Sequence, residues 1–161
     1  MANKFNDFFL NIAEKLSAKI ENKNRKPQDY LKNPNKSKFT LKETIPNDVK
    51  KIVDQLDSKK SGDIYSITPE IVKLSNEVVA EALSIIFNRC VREGHFPDTL
   101  KLAKVIPIHK GDSVLTVSNY RPISLLPIFS KIMERLIYNQ FIEYIEKYEI
   151  LSELQSIWLP K

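Results

Sequence analysis

Cysteine and glycine are scarce in this chain of 161 residues, and long apolar runs are missing from it. Its one cysteine, Cys90, excludes an internal disulfide. That residue lies in an apolar-periodic segment and reads as a buried, inert thiol. Three glycines beside nine prolines disfavour a Gly-rich sandwich and favour helices punctuated by Pro-marked turns. No uninterrupted apolar stretch reaches signal-peptide or membrane length, because Lys4, Asp7, Glu14, Lys15 and Lys19 interrupt the first twenty residues. The chain is therefore expected to be intracellular and non-secreted, with no membrane partner; nothing in it separates nucleus from cytoplasm.

What is present is ordinary for a globular protein: 42% hydrophobic and 28% charged residues. The formal net charge is +5, and the excess is uneven. Between positions 22 and 46, Lys23, Arg25, Lys26, Lys32, Lys36, Lys38 and Lys42 face only Asp29 and Glu43. Such a segment either favours a polyanion through counterion release or is a solvated linker.

Apolar periodicity places the elements. Phe5, Phe8, Phe9, Ile12, Leu16 and Ile20 recur at helical spacing, with Asn3 as the expected cap. Residues 22–46 read as a linker with at most a short extended piece near Phe39–Leu41. A helix is expected from Asn47, with Val49, Ile52, Val53 and Leu56 on one face. Thr68-Pro69 reads as a cap followed by proline at the first helical position, with Ile71, Val72 and Leu74 inward. Asn76 is expected to cap a longer helix carrying Val78, Val79, Leu83, Ile86 and Cys90, stopped by Gly94. Lys104–Lys110 and Tyr120–Leu125 then read as two strands of an antiparallel ribbon, Pro107 marking an edge. A last helix follows from about Ile128 to Tyr148. The expected class is α+β, mostly helical with a small antiparallel β-ribbon.

The ribbon carries the most suggestive chemistry. Lys110 ends one strand and Arg121 begins the next, so antiparallel pairing brings them close. A planar guanidinium fork beside a compact ammonium suits a polyphosphate, although exposed cations at strand ends are common. Tyr120 and Phe96 could stack a base or simply pack, and Lys104 could face a nucleic-acid backbone or solvent. Glu143, Glu146, Glu149 and Glu153 read as a solvated acidic face rather than as metal ligands.

Asn119-Tyr120-Arg121-Pro122-Ile123-Ser124-Leu125-Leu126 resembles the signature block of non-LTR retrotransposon reverse transcriptases. Lys104-Val105-Ile106-Pro107-Ile108-His109-Lys110-Gly111-Asp112 is similar to the fingers segment that precedes it in that family, and Ser130-Lys131-Ile132-Met133-Glu134-Arg135-Leu136-Ile137 to the helix that follows. Lys60-Ser61-Gly62-Asp63, Thr68-Pro69-Glu70 and His95-Phe96-Pro97 resemble the region leading in, and Phe5-Asn6-Asp7-Phe8-Phe9 a linker of jockey-like elements. The resemblance implies an incomplete right-hand polymerase. Residues 1–46 would be an N-terminal helix and basic linker, and 47–161 a partial reverse transcriptase domain of fingers and the start of the palm.

It further implies that Lys110 and Arg121 contact the phosphates of the incoming dNTP, while Lys104 and Tyr120 bind nucleic acid. The implied partners are an RNA template, a DNA primer, and the palm and thumb portions of the same polyprotein. The complete family enzyme uses Mg²⁺, held by an Asp strand and a later Asp pair. This chain has no Asp-Asp pair, so no catalytic or metal residue is assigned and no Mg²⁺ is expected on it alone. Near the end, Ile157 and Trp158 stand where the family has Gly and Phe. The implied function is a fragment of an RNA-directed DNA polymerase, inactive alone; the alternative is a non-catalytic nucleic-acid-binding module or an inert relic of a mobile element.

Overall fold

The computed structural model describes residues 1–20, 37–57 and 62–151. The basic residues from Lys23 to Lys36, the Lys60-Ser61 step, Glu153 and the Ile157-Trp158 departure lie outside them. Two compact units form: residues 1–20 with 103–125, and residues 37–57 with 62–102 and 126–151. No described helix is long and apolar enough to cross a membrane. Among the described residues, the mostly helical content with one two-stranded antiparallel sheet agrees with the expected class.

In the helical unit, α2 (Pro46–Asp54), α3 (Pro69–Leu74), α4 (Asn76–Glu93) and α5 (Ile128–Lys147) enclose the core. Helix α1 (Ala2–Ser17) belongs to the other unit. Val49, Ile52, Val53, Val72, Ala80, Leu83, Phe87, Ile128, Ile132, Met133 and Leu136 form one buried cluster. α2 begins one residue before the expected Asn47, because the fixed φ of Pro46 suits the first helical position and Ile45 is extended. α3 starts as expected, with the Thr68 hydroxyl accepting from the Ile71 N–H at 3.3 Å. Only Val72 of its three apolar residues is buried; Ile71 and Leu74 are exposed.

The start of α4 corrects another expectation. Ser75, not Asn76, is its N-cap residue, and the Asn76 amide instead donates to Asp54 of α2 at 2.9 Å. The buried stripe also differs. The expected Leu83 faces the core, joined by Ala80 and Phe87, while the expected Val78 and Ile86 are exposed. An i, i+3, i+7 stripe that includes Phe87 buries more area than one without the ring. Gly94 closes the helix in the left-handed conformation at φ 63°, as expected. Cys90 is half-buried against the core, and that burial pushes its thiol pKa up.

The segment 37–45 is extended but not a strand. Two side-chain amides hold it in place of a neighbouring strand. Gln140 of α5 accepts from the Lys42 N–H at 2.8 Å and donates to the Lys42 carbonyl at 3.0 Å. Asn88 of α4 does the same to Thr44, at 2.7 and 2.9 Å. Phe39 meanwhile packs on Phe141 and Tyr144, with ring centroids 5.4 and 5.3 Å apart.

The loop between α2 and α3 depends on Gly62 and Asp63. A Cβ on Gly62 would sit 2.8 Å from the Ser66 carbonyl carbon and 2.9 Å from its Cα, both backbone atoms. Gly62→Ala should therefore lose about 1–3 kcal/mol in urea unfolding, the usual cost of forcing atoms into occupied space. Parent-like stability would show that the loop can shift.

In the other unit, α1 (Ala2–Ser17) lies with β1 (Lys104–His109) and β2 (Tyr120–Leu125). α1 starts at Ala2 with Met1 as its N-cap residue, so Asn3 is inside the helix rather than its cap. None of its residues is buried, although its apolar positions fall at helical spacing. The strands pair from Lys104 opposite Leu125 to His109 opposite Tyr120.

Candidate nucleic-acid interface

Strand alternation sorts the ribbon residues into two faces. In the observed register, Lys104, Ile106 and Ile108 share a face with Arg121, Ile123 and Leu125. The Lys110 N–H donates to the Asn119 carbonyl at 2.8 Å, which extends the ladder by one pair beyond β1. Lys110 thus joins the same face, diagonal to Arg121, a relation that places side chains about 7–8 Å apart or less. All three cations are exposed, and the isoleucines between them, Ile106, Ile108 and Ile123, are 37%, 50% and 42% exposed.

The two prolines explain why this ribbon closes cleanly. The Lys110–Asn119 bond makes that pair a hydrogen-bonded one, and such pairs alternate along an antiparallel ladder. Pro107 opposite Pro122 therefore falls on a non-bonded pair. Neither missing N–H costs a ladder bond; each would have pointed outward from an edge. Their loss also blunts both edges against pairing with another strand.

Tyr120 lies on the opposite face with Val105, Pro107, His109, Pro122 and Ser124. Its ring meets Phe5 of α1 edge-on at 4.8 Å and His109 at 5.0 Å. Its hydroxyl donates to the Val114 carbonyl at 3.0 Å. The Asn119 amide donates to the neighbouring Ser113 carbonyl at 3.1 Å. Asn119 and Tyr120 thus hold the loop between the strands, a role that spacing alone did not disclose because their partners are carbonyls six residues upstream. The structure brings Lys104, Lys110 and Arg121 to one face and sets Tyr120 on the other.

Among the described residues, no three His, Cys, Asp or Glu side chains form a group that could hold a metal ion. Those residues do not fit the Mg²⁺ that the resemblance implies for a complete enzyme. Glu143, Glu146 and Glu149 are exposed on and just beyond α5. The geometry can place fixed positive charge against phosphate oxygens, which is positioning and charge stabilisation.

No family model matches the chain. It is 34% identical over 119 residues to the RNA-directed DNA polymerase from mobile element jockey of Drosophila melanogaster, covering 73% of this chain and 13% of that protein. To the probable RNA-directed DNA polymerase from transposon BS of the same species it is 30% identical over 128 residues, 79% of this chain and 14% of the relative. A putative 115 kDa protein in the type-1 retrotransposable element R1DM, also from Drosophila melanogaster, is 34% identical over 90 residues, 55% of this chain and 9% of the relative. The chain is thus partially similar to non-LTR retrotransposon RNA-directed DNA polymerases over a short region, and it spans between 9% and 14% of the length of these three curated relatives.

Proposed function

We propose that this chain is a fingers portion of a retrotransposon reverse transcriptase, contributing contacts to the incoming nucleotide and to the template. One observation supports the reading most: Lys110 and Arg121 are diagonal neighbours on an exposed face of the ribbon. Phosphoryl transfer is largely positioning plus stabilisation of charge on phosphate oxygens. Two cations fixed by a ladder supply both for a triphosphate. Lys104, six residues from Lys110 on the same face, would meet the backbone of a template. Tyr120 would serve nucleic-acid binding from the other face, through the loop and α1 contacts that steady Arg121 beside it.

In this reading the carboxylates that hold Mg²⁺ belong to palm elements of the same polyprotein, and RNA template and DNA primer are the partners. The isolated chain is expected to give no primer extension with Mg²⁺ and dNTPs. It should still bind a deoxynucleoside triphosphate, followed by ³¹P line broadening of dTTP. Lys110→Ala and Arg121→Ala should each weaken that binding about tenfold, the order expected for one charge-assisted contact at an exposed site. Unchanged affinity in both variants would reject the ribbon as the phosphate contact.

A further inference from the structure

The helical unit holds a second basic surface, apart from the ribbon's cations. A cleft of about 260 Å³ opens between the 37–42 segment and the last turns of α5. Lys38, Lys42 and Lys147 line it, with Tyr144, Tyr148 and the single carboxylate Glu143. No ion pair involves any of the three lysines among the described residues. The Lys147 ammonium lies 5.5 Å from the centre of the Tyr148 ring.

The aromatic rings in the cleft have different duties. Tyr144 is committed, because its hydroxyl donates to the Ser37 carbonyl at 2.6 Å and Phe39 covers its ring. Tyr148 stands at the end of α5, 4.9 Å from Tyr144 and 41% exposed. Among the described residues its hydroxyl makes no hydrogen bond, and its ring is more exposed than those of Phe39 and Tyr144. The backbone of Lys42 is fixed by Gln140, so its ammonium projects from a rigid base.

We propose that this cleft binds single-stranded nucleic acid, with a base stacked on Tyr148 and backbone phosphates met by Lys38, Lys42 and Lys147. This rests on the nucleic-acid reading above and adds a second contact to it. Three unpaired cations against one carboxylate favour a polyanion. An aromatic ring beside such a charge track is the arrangement that binds single strands without regard to sequence. The volume falls below the range of about 300–1,000 Å³ usual for enclosed small-molecule sites.

The test is fluorescence anisotropy of the full chain with a labelled oligouridylate, over a series of salt concentrations. Tyr148→Ala should weaken binding at least about fivefold, the lower bound for loss of one base–aromatic stack. Tyr148→Phe keeps the ring and should bind like the parent. Lys38→Ala and Lys147→Ala should each reduce the salt slope by about 0.7. Circular dichroism melts that match the parent show that the variants fold.

Two outcomes separate the proposal from the reading it rests on. Parent-like binding by Tyr148→Ala and both lysine variants, with loss confined to Lys110→Ala and Arg121→Ala, would overturn the cleft and leave the ribbon standing. Absence of any salt-dependent binding by the parent chain would overturn both. Equal affinity for a blunt duplex of the same length would overturn the stacked base.

Discussion

Phe87→Ala is expected to lower the stability of the helical unit by about 3–5 kcal/mol, the usual range for truncating a buried aromatic ring. Phe87 is 1% exposed and among the largest side chains buried so completely. It sits in one cluster with Val49 and Val53 of α2, Val72 of α3 and Ile132 and Met133 of α5. Removing the ring leaves a cavity that three other helices border, and side-chain pairs elsewhere join α4 to α2 and to the 37–45 segment. Lys50 pairs with Glu77, Asn76 with Asp54, and Arg92 with Glu43 of the extended segment.

Domains of this kind have only about 5–15 kcal/mol in total. Phe87→Ala should therefore shift the melting midpoint by more than about 10 °C, or leave the chain unfolded at room temperature. Ile85→Ala is the matched control, since Ile85 is on the same helix and exposed. Its midpoint should stay within a degree or two, about the effect of a surface substitution. A loss under about 1 kcal/mol for Phe87→Ala would mean that the cluster does not carry the stability of this unit.

The burial of Phe87 is not legible in the sequence. Periodicity placed the longer helix and its Gly94 stop correctly, because the stop is a local property of one residue. Of the expected stripe, Leu83 is buried and Val79 and Cys90 pack against the core, but Val78 and Ile86 are exposed while Ala80 and Phe87 are buried in their place. Both stripes satisfy a 3.6-residue period. The choice between them is made by what α2, α3 and α5 present, and a single helix does not contain that information. Thr68-Pro69 was legible for the same reason that Gly94 was: cap chemistry acts over three residues.

The ribbon was legible because β-branched residues bounded by a turn encode a strand locally, and β2 spans the expected Tyr120–Leu125. Its face assignment needed the register, which puts Lys110 and Arg121 on one face and Tyr120 on the other. Long-range polar clamps were invisible. Gln140 holds Lys42 from 98 residues away and Asn88 holds Thr44 from 44 away. An amide that substitutes for a strand partner looks in sequence like any exposed Gln or Asn. The cleft beside Tyr148 depends on that clamp, so it too was out of reach.

Asp63 is the sharpest case of such a clamp, and Asp63→Ala should cost about 2–3 kcal/mol, the scale for hydrogen bonds to a charged group. One carboxylate oxygen accepts from the Tyr65 and Ile67 N–H groups at 2.8 and 3.1 Å, closing the loop before α3. The other accepts from the Ile128 N–H at 2.8 Å, at the first turn of α5 and 65 residues away. A negative charge there also complements the positive end of the helix. Asp63→Asn discriminates between simple loss of charge and loss of a two-sided acceptor. The amide oxygen can serve either the loop or α5, and the NH₂ then faces an N–H donor on the other side. The asparagine variant should therefore lose most of what alanine loses, with faster amide exchange at Ile128 if the loop keeps the oxygen, or at Tyr65 and Ile67 if α5 keeps it. Parent-like stability and exchange in Asp63→Asn would show that the carboxylate does not join the loop to the helix.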